Sequence, residues 1–217
     1  MLFHDRQDAG RQLAERLEFL KGEPGLIVFG IPRGGVVVAA EVARALCAPL
    51  EVFVAHKIGA PSNPELAIGA VTSNGDVFLD EELIHWLKLP EHELSQAIDY
   101  QRREIARRLE LFRKGLPAPE VKDKIAIIVD DGIATGSTML AALRALRKHA
   151  PRKLLLAVPV GPPETIVRLA RECDQVIALK TPEPFWAVGR FYAQFAQTDD
   201  AQVVELLEAA RLAHNRP

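Results

Sequence analysis

The stretch Ile125–Thr138, IAIIVDDGIATGST, holds the residue types best suited to chemistry. Asp130 and Asp131 are adjacent carboxylates that follow five apolar, mostly β-branched residues. Such a run is too short to cross a membrane and reads as a strand buried on both faces, as in a parallel sheet. The acids therefore stand where the strand emerges at its C-terminal end. Gly132 and Ala134 come next and are small enough for a ligand to approach the backbone. Thr135-Gly136-Ser137-Thr138 then opens a helical pattern carried by Met139, Leu140, Leu143 and Leu146. Successive backbone N–H groups at a helix N-terminus suit a phosphate, and the hydroxyls of Thr135, Ser137 and Thr138 add donors. A carboxylate facing that phosphate would repel it. The acids must address something else on the ligand, either sugar hydroxyls or a bridging metal.

A second anion-binding turn precedes this one. Leu26–Phe29 reads as a short strand, Gly30-Ile31-Pro32-Arg33-Gly34-Gly35 as the loop after it, and Val36 to Leu46 as a helix. An arginine beside two glycines at a strand-to-helix junction offers a guanidinium and bare amides to an anion. Around these turns the chain alternates strand and helix. A helix spans residues 5–20, capped by Asp5 or Asp8, with Ala9, Leu13, Leu17 and Leu20 on its apolar face. Glu51–Ala55 reads as a strand ending in His56-Lys57, with His56 a structural histidine. Leu154–Val158 and Gln175–Leu179 read as further strands. A helix begins near Glu164, and another covers 200–213. Such alternation predicts an α/β fold with a doubly wound, mainly parallel sheet that binds ligands at its C-terminal strand ends. Both anion loops and Lys57 are expected there.

Neither common phosphate-loop pattern fits the first motif. Gly132 and Gly136 are one residue too close for G-x-x-x-x-G-K-[ST], and no G-x-G-x-x-G occurs. Apolar strand, two acids, four residues ending in Thr, then Gly and a hydroxyl pair resemble the phosphoribosyl diphosphate (PRPP) motif of the type I phosphoribosyltransferases. The Arg33 loop is similar to that family's pyrophosphate loop, with Pro32 where xanthine enzymes carry serine, and the family often holds this loop in an unusual backbone geometry. The resemblance implies a single domain over residues 1–217, with a lid hairpin and helical insertion over 57–115 and a hood over 180–217. It implies transfer of the 5-phosphoribosyl group from PRPP to a nitrogen of a nucleobase or similar acceptor, with release of pyrophosphate. Asp130 and Asp131 would address the ribose, and Ala134, Thr135, Gly136, Ser137 and Thr138 the 5′-phosphate. Arg33, Gly34, Gly35 and Lys57 would hold the pyrophosphate. Asp130, Asp131, Lys57 and Arg33 are then the catalytic set. Mg²⁺ would be carried mainly by the substrate near Asp130 and Asp131, with no direct ligand cluster. Phe185 or Trp186, shortly before Val188-Gly189, would stack on the base. A homodimer is compatible, since the family is often dimeric.

Within that resemblance three departures disfavour hypoxanthine, guanine and xanthine. Ala134 stands where 6-oxopurine enzymes carry an Asp, Pro159–Pro163 has no lysine to read the purine oxygen, and Ala193 replaces an acid. Ala134-Thr135-Gly136 looks more like the adenine and uracil enzymes. A regulator that keeps the pocket as a PRPP or nucleotide sensor is the alternative the residues leave open.

The insertion is where the chain departs most from a minimal member of that family. Gly59 to Glu65 is turn-rich and expected to be an exposed lid over the site. Ala67–Val71 and Val77–Leu79, joined through Asn74-Gly75, read as a hairpin. Glu91–Lys114 reads as a helix with Leu94, Ile98, Ile105, Leu109 and Phe112 on one face. Its other face carries Arg102, Arg103, Arg107, Arg108, Arg113 and Lys114 against Glu104 and Glu110, and is expected to be solvated rather than to bind nucleic acid.

Composition sets the outer bounds. The 217 residues are 48% hydrophobic, enough for one sizeable core, and the formal charge of −2 favours neither nucleic acid nor membrane as partner. Cys47 and Cys173 are expected as buried thiols in a reducing compartment. The N-terminus lacks a signal-peptide pattern and no run reaches membrane-spanning length, so a cytoplasmic location is expected.

Overall fold

In the computed structural model, which describes residues 2–61 and 63–214, two sheets share the chain. The larger has five parallel strands: β1 (Leu26–Gly30), β2 (Leu50–Val52), β6 (Ile125–Val129), β7 (Lys153–Val160) and β8 (Gln175–Lys180), in the order β2-β1-β6-β7-β8. The smaller is antiparallel, β3 (Ala55–Ala60), β4 (Asn63–Thr72) and β5 (Val77–Leu79) in that order. The expected doubly wound sheet and the hairpin insertion are both present.

Alternate residues of β1 and β6 feed opposite faces of the parallel sheet, as the two-residue period of a strand requires. Val28, Ile127 and Val129 pack with helix α1 (Arg6–Leu17), helix α2 (Gly34–Leu46) and helix α7 (Asp200–His214). Phe29, Ala126 and Ile128 pack on the other side against helix α5 (Ser137–Lys148). Every β6 residue is buried, which explains its uninterrupted apolar sequence. β1 and β6 are neighbours in register, Gly30 opposite Val129. From them the chain departs in opposite directions, through α2 to β2 and through α5 to β7. That divergence opens a crevice at their C-terminal ends, the place where open α/β sheets bind ligands.

Several local expectations need correction. Lys57 does not end a parallel strand: β2 stops at Val52, and Lys57 lies on antiparallel β3 opposite Ala70. Within the turn-rich stretch 59–65, β3 ends at Ala60 and its antiparallel partner β4 begins at Asn63, with register shifts at Ile58/Gly59 and Gly59/Ala60. Ser62 and the side chains of Pro64 and Glu65 within the expected lid lie outside the described residues. A short helix, α3 (Glu81–Leu87), capped by the Asp80 carboxylate, fills a stretch left unassigned by the sequence. α4 (Glu91–Arg113) forms as expected, yet Arg113 is not on the solvated face. It is buried, with Nε donating to Glu51 at 3.0 Å. Arg102, Arg103 and Arg107 are exposed, as read. His56 accepts the structural role read for it, its Nδ1 lying 3.0 Å from the Gln101 amide oxygen. Burial there lowers the imidazole pKa.

The two thiols differ. Cys173 is half-buried and its thiol is pushed up to about 11 by that burial. Cys47, expected to be buried, is exposed because it is the left-handed C-cap that ends α2. Among the described residues no helix is long and apolar enough to cross a membrane.

Candidate active site

The two anion turns meet in the crevice between β1 and β6. Gly34 and Gly35 form the first turn of α2, so their amides have no helical acceptor. Their lack of side chains is required by what lies beside them. A Cβ on Gly34 would stand 2.0 Å from Asp131 Oδ2, and one on Gly35 would stand 2.7 Å from Asp130 Oδ1. The acid pair and the Arg33 loop are therefore in direct contact. Arg33 is the half-buried N-cap of α2, and the Pro32–Arg33 peptide bond is cis, the unusual backbone expected there.

The second turn runs from Ala134 to Thr138. Ala134, Thr135 and Ser137 are exposed, Gly136 is buried and Thr138 is half-buried. Gly136 holds a left-handed φ of 73° as the N-cap of α5, where a side chain would also strike Thr165. The first helical bond is Leu140 N–H to Gly136 C=O at 2.8 Å, leaving the amides of Ser137, Thr138 and Met139 aimed out of the helix end. Helix α6 (Pro163–Leu169) braces this turn from below. Thr165 Oγ1 donates to the Ala134 carbonyl at 3.0 Å, and Arg168 donates to the Thr135 carbonyl. Sequence reading named neither brace.

The acids are unequal. Asp130 Oδ1 accepts from the Asp131 amide at 2.8 Å. Burial, then the neighbouring Asp131 charge, push the Asp130 pKa well above the usual carboxylate range. Burial raises that of Asp131 too, but Arg6 opposes it. Arg6 Nε donates to Asp131 Oδ2 at 2.7 Å, and the Tyr192 hydroxyl donates to the Asp131 carbonyl at 2.6 Å. Neither was among the expected site residues, although Tyr192 falls within the expected hood.

Lys57 is less directly placed. Its ladder partner Ala70 lines a groove of about 700 Å³ shared with Ser137, so its strand runs beside the Ala134–Thr138 turn rather than ending at the sheet's ligand edge. The aromatic pair is split. Phe185 packs on Phe191 with ring centroids 5.1 Å apart, whereas Trp186 is 74% exposed. Two residues on, Val188 lies where a Cβ of Gly132 would touch it, which brings this segment to the acid loop.

The doubly wound α/β sheet thus carries a carboxylate pair and two glycine-containing turns at its switch point, where open sheets bind ligands. The chain belongs to the phosphoribosyl transferase domain family, whose model it matches over residues 4–195. A Mycobacterium tuberculosis protein, provisionally named as a phosphoribosyl transferase, is 46% identical over 209 residues, covering 96% of this chain and 47% of that protein. The chain thus spans about half the length of the curated relatives of that kind. The uracil phosphoribosyltransferase of Aquifex aeolicus is 38% identical over 58 residues, 27% of this chain and 28% of that one. Among solved structures, TT1426 from Thermus thermophilus matches with a TM-score of 0.82 at 40% identity, covering 95% of this chain and 98% of that one.

Proposed function

We propose that this chain transfers the 5-phosphoribosyl group from PRPP to a nitrogen of a nucleobase or similar acceptor, releasing pyrophosphate. The carrying observation is the contact between Asp130–Asp131 and Gly34–Gly35. That contact brings the Arg33 turn against the acids that precede the Thr135 turn, the order that a sugar with an anion at each end calls for. The 5′-phosphate rests on the Ala134–Thr138 amides and hydroxyls. Pyrophosphate rests on the Gly34 and Gly35 amides with Arg33; Lys57, on β3 opposite Ala70, would join them only from the hairpin side. As pyrophosphate leaves, the ribosyl carbon becomes cation-like. Asp130 and the free oxygen of Asp131 lie beside it, accept from the ribose hydroxyls and stabilise the developing charge.

Asp130, Asp131 and the substrate phosphates form an all-oxygen donor set of the kind Mg²⁺ takes through one or two carboxylates while keeping water and phosphate ligands. When bound, Mg²⁺ supplies charge neutralisation to the departing pyrophosphate. Trp186 is the ring free to meet a base, since Phe185 is engaged with Phe191. Residues 57–115 act as an insertion beside the phosphate turn and 180–217 as the hood, within one domain of a cytoplasmic enzyme. The three departures noted in the sequence favour an acceptor other than a 6-oxopurine.

The reading is tested by pyrophosphate release from PRPP and Mg²⁺ with a panel of purine, pyrimidine and non-base nitrogen acceptors. Acceptor-dependent release is expected for at least one. PRPP binding with no release from any of them supports a sensor in place of a transferase.

A further inference from the structure

Arg6 is the least foreseen member of the site. It is the first residue of α1, and only 12% of its side chain is exposed. Its guanidinium engages two separate parts of the chain, the acid loop and the Phe195-Ala196 stretch. Nε donates to Asp131 Oδ2 at 2.7 Å, Nη1 donates to the Ala196 carbonyl at 2.6 Å, and Cζ lies 3.8 Å above the Phe195 ring. The backbone nearby repeats the connection, since Ala193 N–H donates to the Phe3 carbonyl and Gln194 N–H to the His4 carbonyl, both at 2.8 Å.

The chemistry follows from where the paired carboxylate points. Asp131 Oδ2 sits 2.0 Å from the position a Gly34 Cβ would occupy, so it abuts the turn assigned to pyrophosphate. Asp130 Oδ1 lies against Gly35 in the same way. Two carboxylates under an anion-binding turn oppose the ligand that turn is shaped for. A partly buried negative charge a few ångströms from a phosphate is screened little by solvent. Mg²⁺ arriving with the ligand offsets part of this charge, and a carboxylate compensated within the protein leaves less to offset; the group bonded to Asp131 is Arg6.

We propose that Arg6 is a positioning residue that cancels the charge of Asp131, and so makes the Gly34–Gly35 turn able to receive pyrophosphate. The inference rests on the transferase reading of the site and adds a residue and a role to it. A fastener of hood to helix would serve every ligand equally. Charge compensation at Asp131 serves the pyrophosphate end selectively.

The test is titration calorimetry of the full chain with pyrophosphate, PRPP and ribose 5-phosphate, each with excess Mg²⁺, for wild type and Arg6 variants. Arg6→Gln is expected to weaken pyrophosphate and PRPP by about 30-fold or more, while ribose 5-phosphate changes by less than about threefold. Arg6→Lys restores most of the lost affinity because it restores the charge. Adding Asp131→Asn to Arg6→Gln recovers about tenfold or more in pyrophosphate binding, since the uncompensated carboxylate is gone. Should Arg6→Gln fail to fold, Arg6→Lys and the double variant carry the same comparison. Equal weakening of all three ligands, unchanged pyrophosphate affinity, or no rescue by Asp131→Asn overturns the proposal. Wild type that binds none of the three ligands removes the transferase reading, and this inference with it. Wild type that binds all three while Arg6→Gln does so equally well removes Arg6 alone.

Discussion

On the proposed reaction, Asp130→Asn should lower the rate of ribosyl transfer by on the order of 100-fold or more and, at pH 7, raise the melting temperature above that of wild type. The first effect follows from removing a negative charge beside the carbon that becomes cationic. The second follows from what that charge costs the folded protein. Burial and the adjacent Asp131 push the Asp130 pKa well above its unfolded value of 3.8. A raised carboxyl pKa means that the folded state holds its proton more tightly than the unfolded state. The associated stability is fully present below the unfolded pKa, and is lost as pH rises through the folded one. By neutral pH the wild type has therefore lost stability through this carboxyl that Asn never has to lose, while the Asn oxygen still accepts the Asp131 amide. Melting curves of the two proteins should converge as pH falls toward 4. Burial raises the Asp131 pKa as well, but Asp131→Asn should melt lower at pH 7, because it strands the Arg6 guanidinium, whose side chain is only 12% exposed, and that loss outweighs the relief. Melting temperature against pH, set beside pyrophosphate release, reads both effects. Equal or lower stability of Asp130→Asn across the range contradicts the assignment of strain to that acid.

The second large effect lies away from the site. Glu51→Ala should destabilise the fold by about 3–5 kcal/mol. On β2, Glu51 accepts from Arg113 Nε at 3.0 Å through one oxygen and from Arg211 at 3.4 Å through the other. Both arginines also reach backbone carbonyls, Arg113 at Val52 and Arg211 at Phe112. This cluster ties the end of α4, and with it the insertion, to the parallel sheet and to α7. Removing the carboxylate leaves the Arg113 charge buried, its side chain only 9% exposed. For a chain of this length, the loss corresponds to a fall of roughly 10 °C in melting temperature. A Glu51→Met, Arg113→Met double variant should recover most of it, since neither charge is then stranded. Calorimetric melting of the three proteins decides the matter. A Glu51→Ala protein within a degree of wild type would show the cluster to be energetically idle.

The parts legible in the sequence were those whose signal is local. Ile125–Val129 could be read as a two-faced buried strand because all five side chains are apolar. The turn after it was readable because acids, glycines and hydroxyls fall within nine residues. The Arg33 loop was readable for the same reason. Lys57 was misplaced because Glu51 to Ile58 runs on without a turn residue, hiding the break after Val52 at which the chain leaves one sheet for another. α3 escaped because its seven residues include none that is buried, so no periodic core face marks it. Arg6 and Tyr192 were invisible as site residues for a different reason. Their partner Asp131 lies 125 and 61 positions away, and in sequence Arg6 looks like any solvated residue in a first helical turn. Arg113 was read as surface for that reason too, its partner Glu51 being 62 positions distant. Spacing reveals a residue's role when its neighbours in the chain share the task. It fails when the fold supplies the partner.

A crystal structure with PRPP and Mg²⁺ bound tests the central claim most directly. The account predicts one PRPP molecule spanning the β1–β6 crevice. Its 5′-phosphate accepts from the Thr135–Thr138 turn, its ribose hydroxyls donate to Asp130 and Asp131, and its pyrophosphate lies on the Gly34 and Gly35 amides. PRPP seated elsewhere, or touching one turn with its other end turned away from the second, would contradict it.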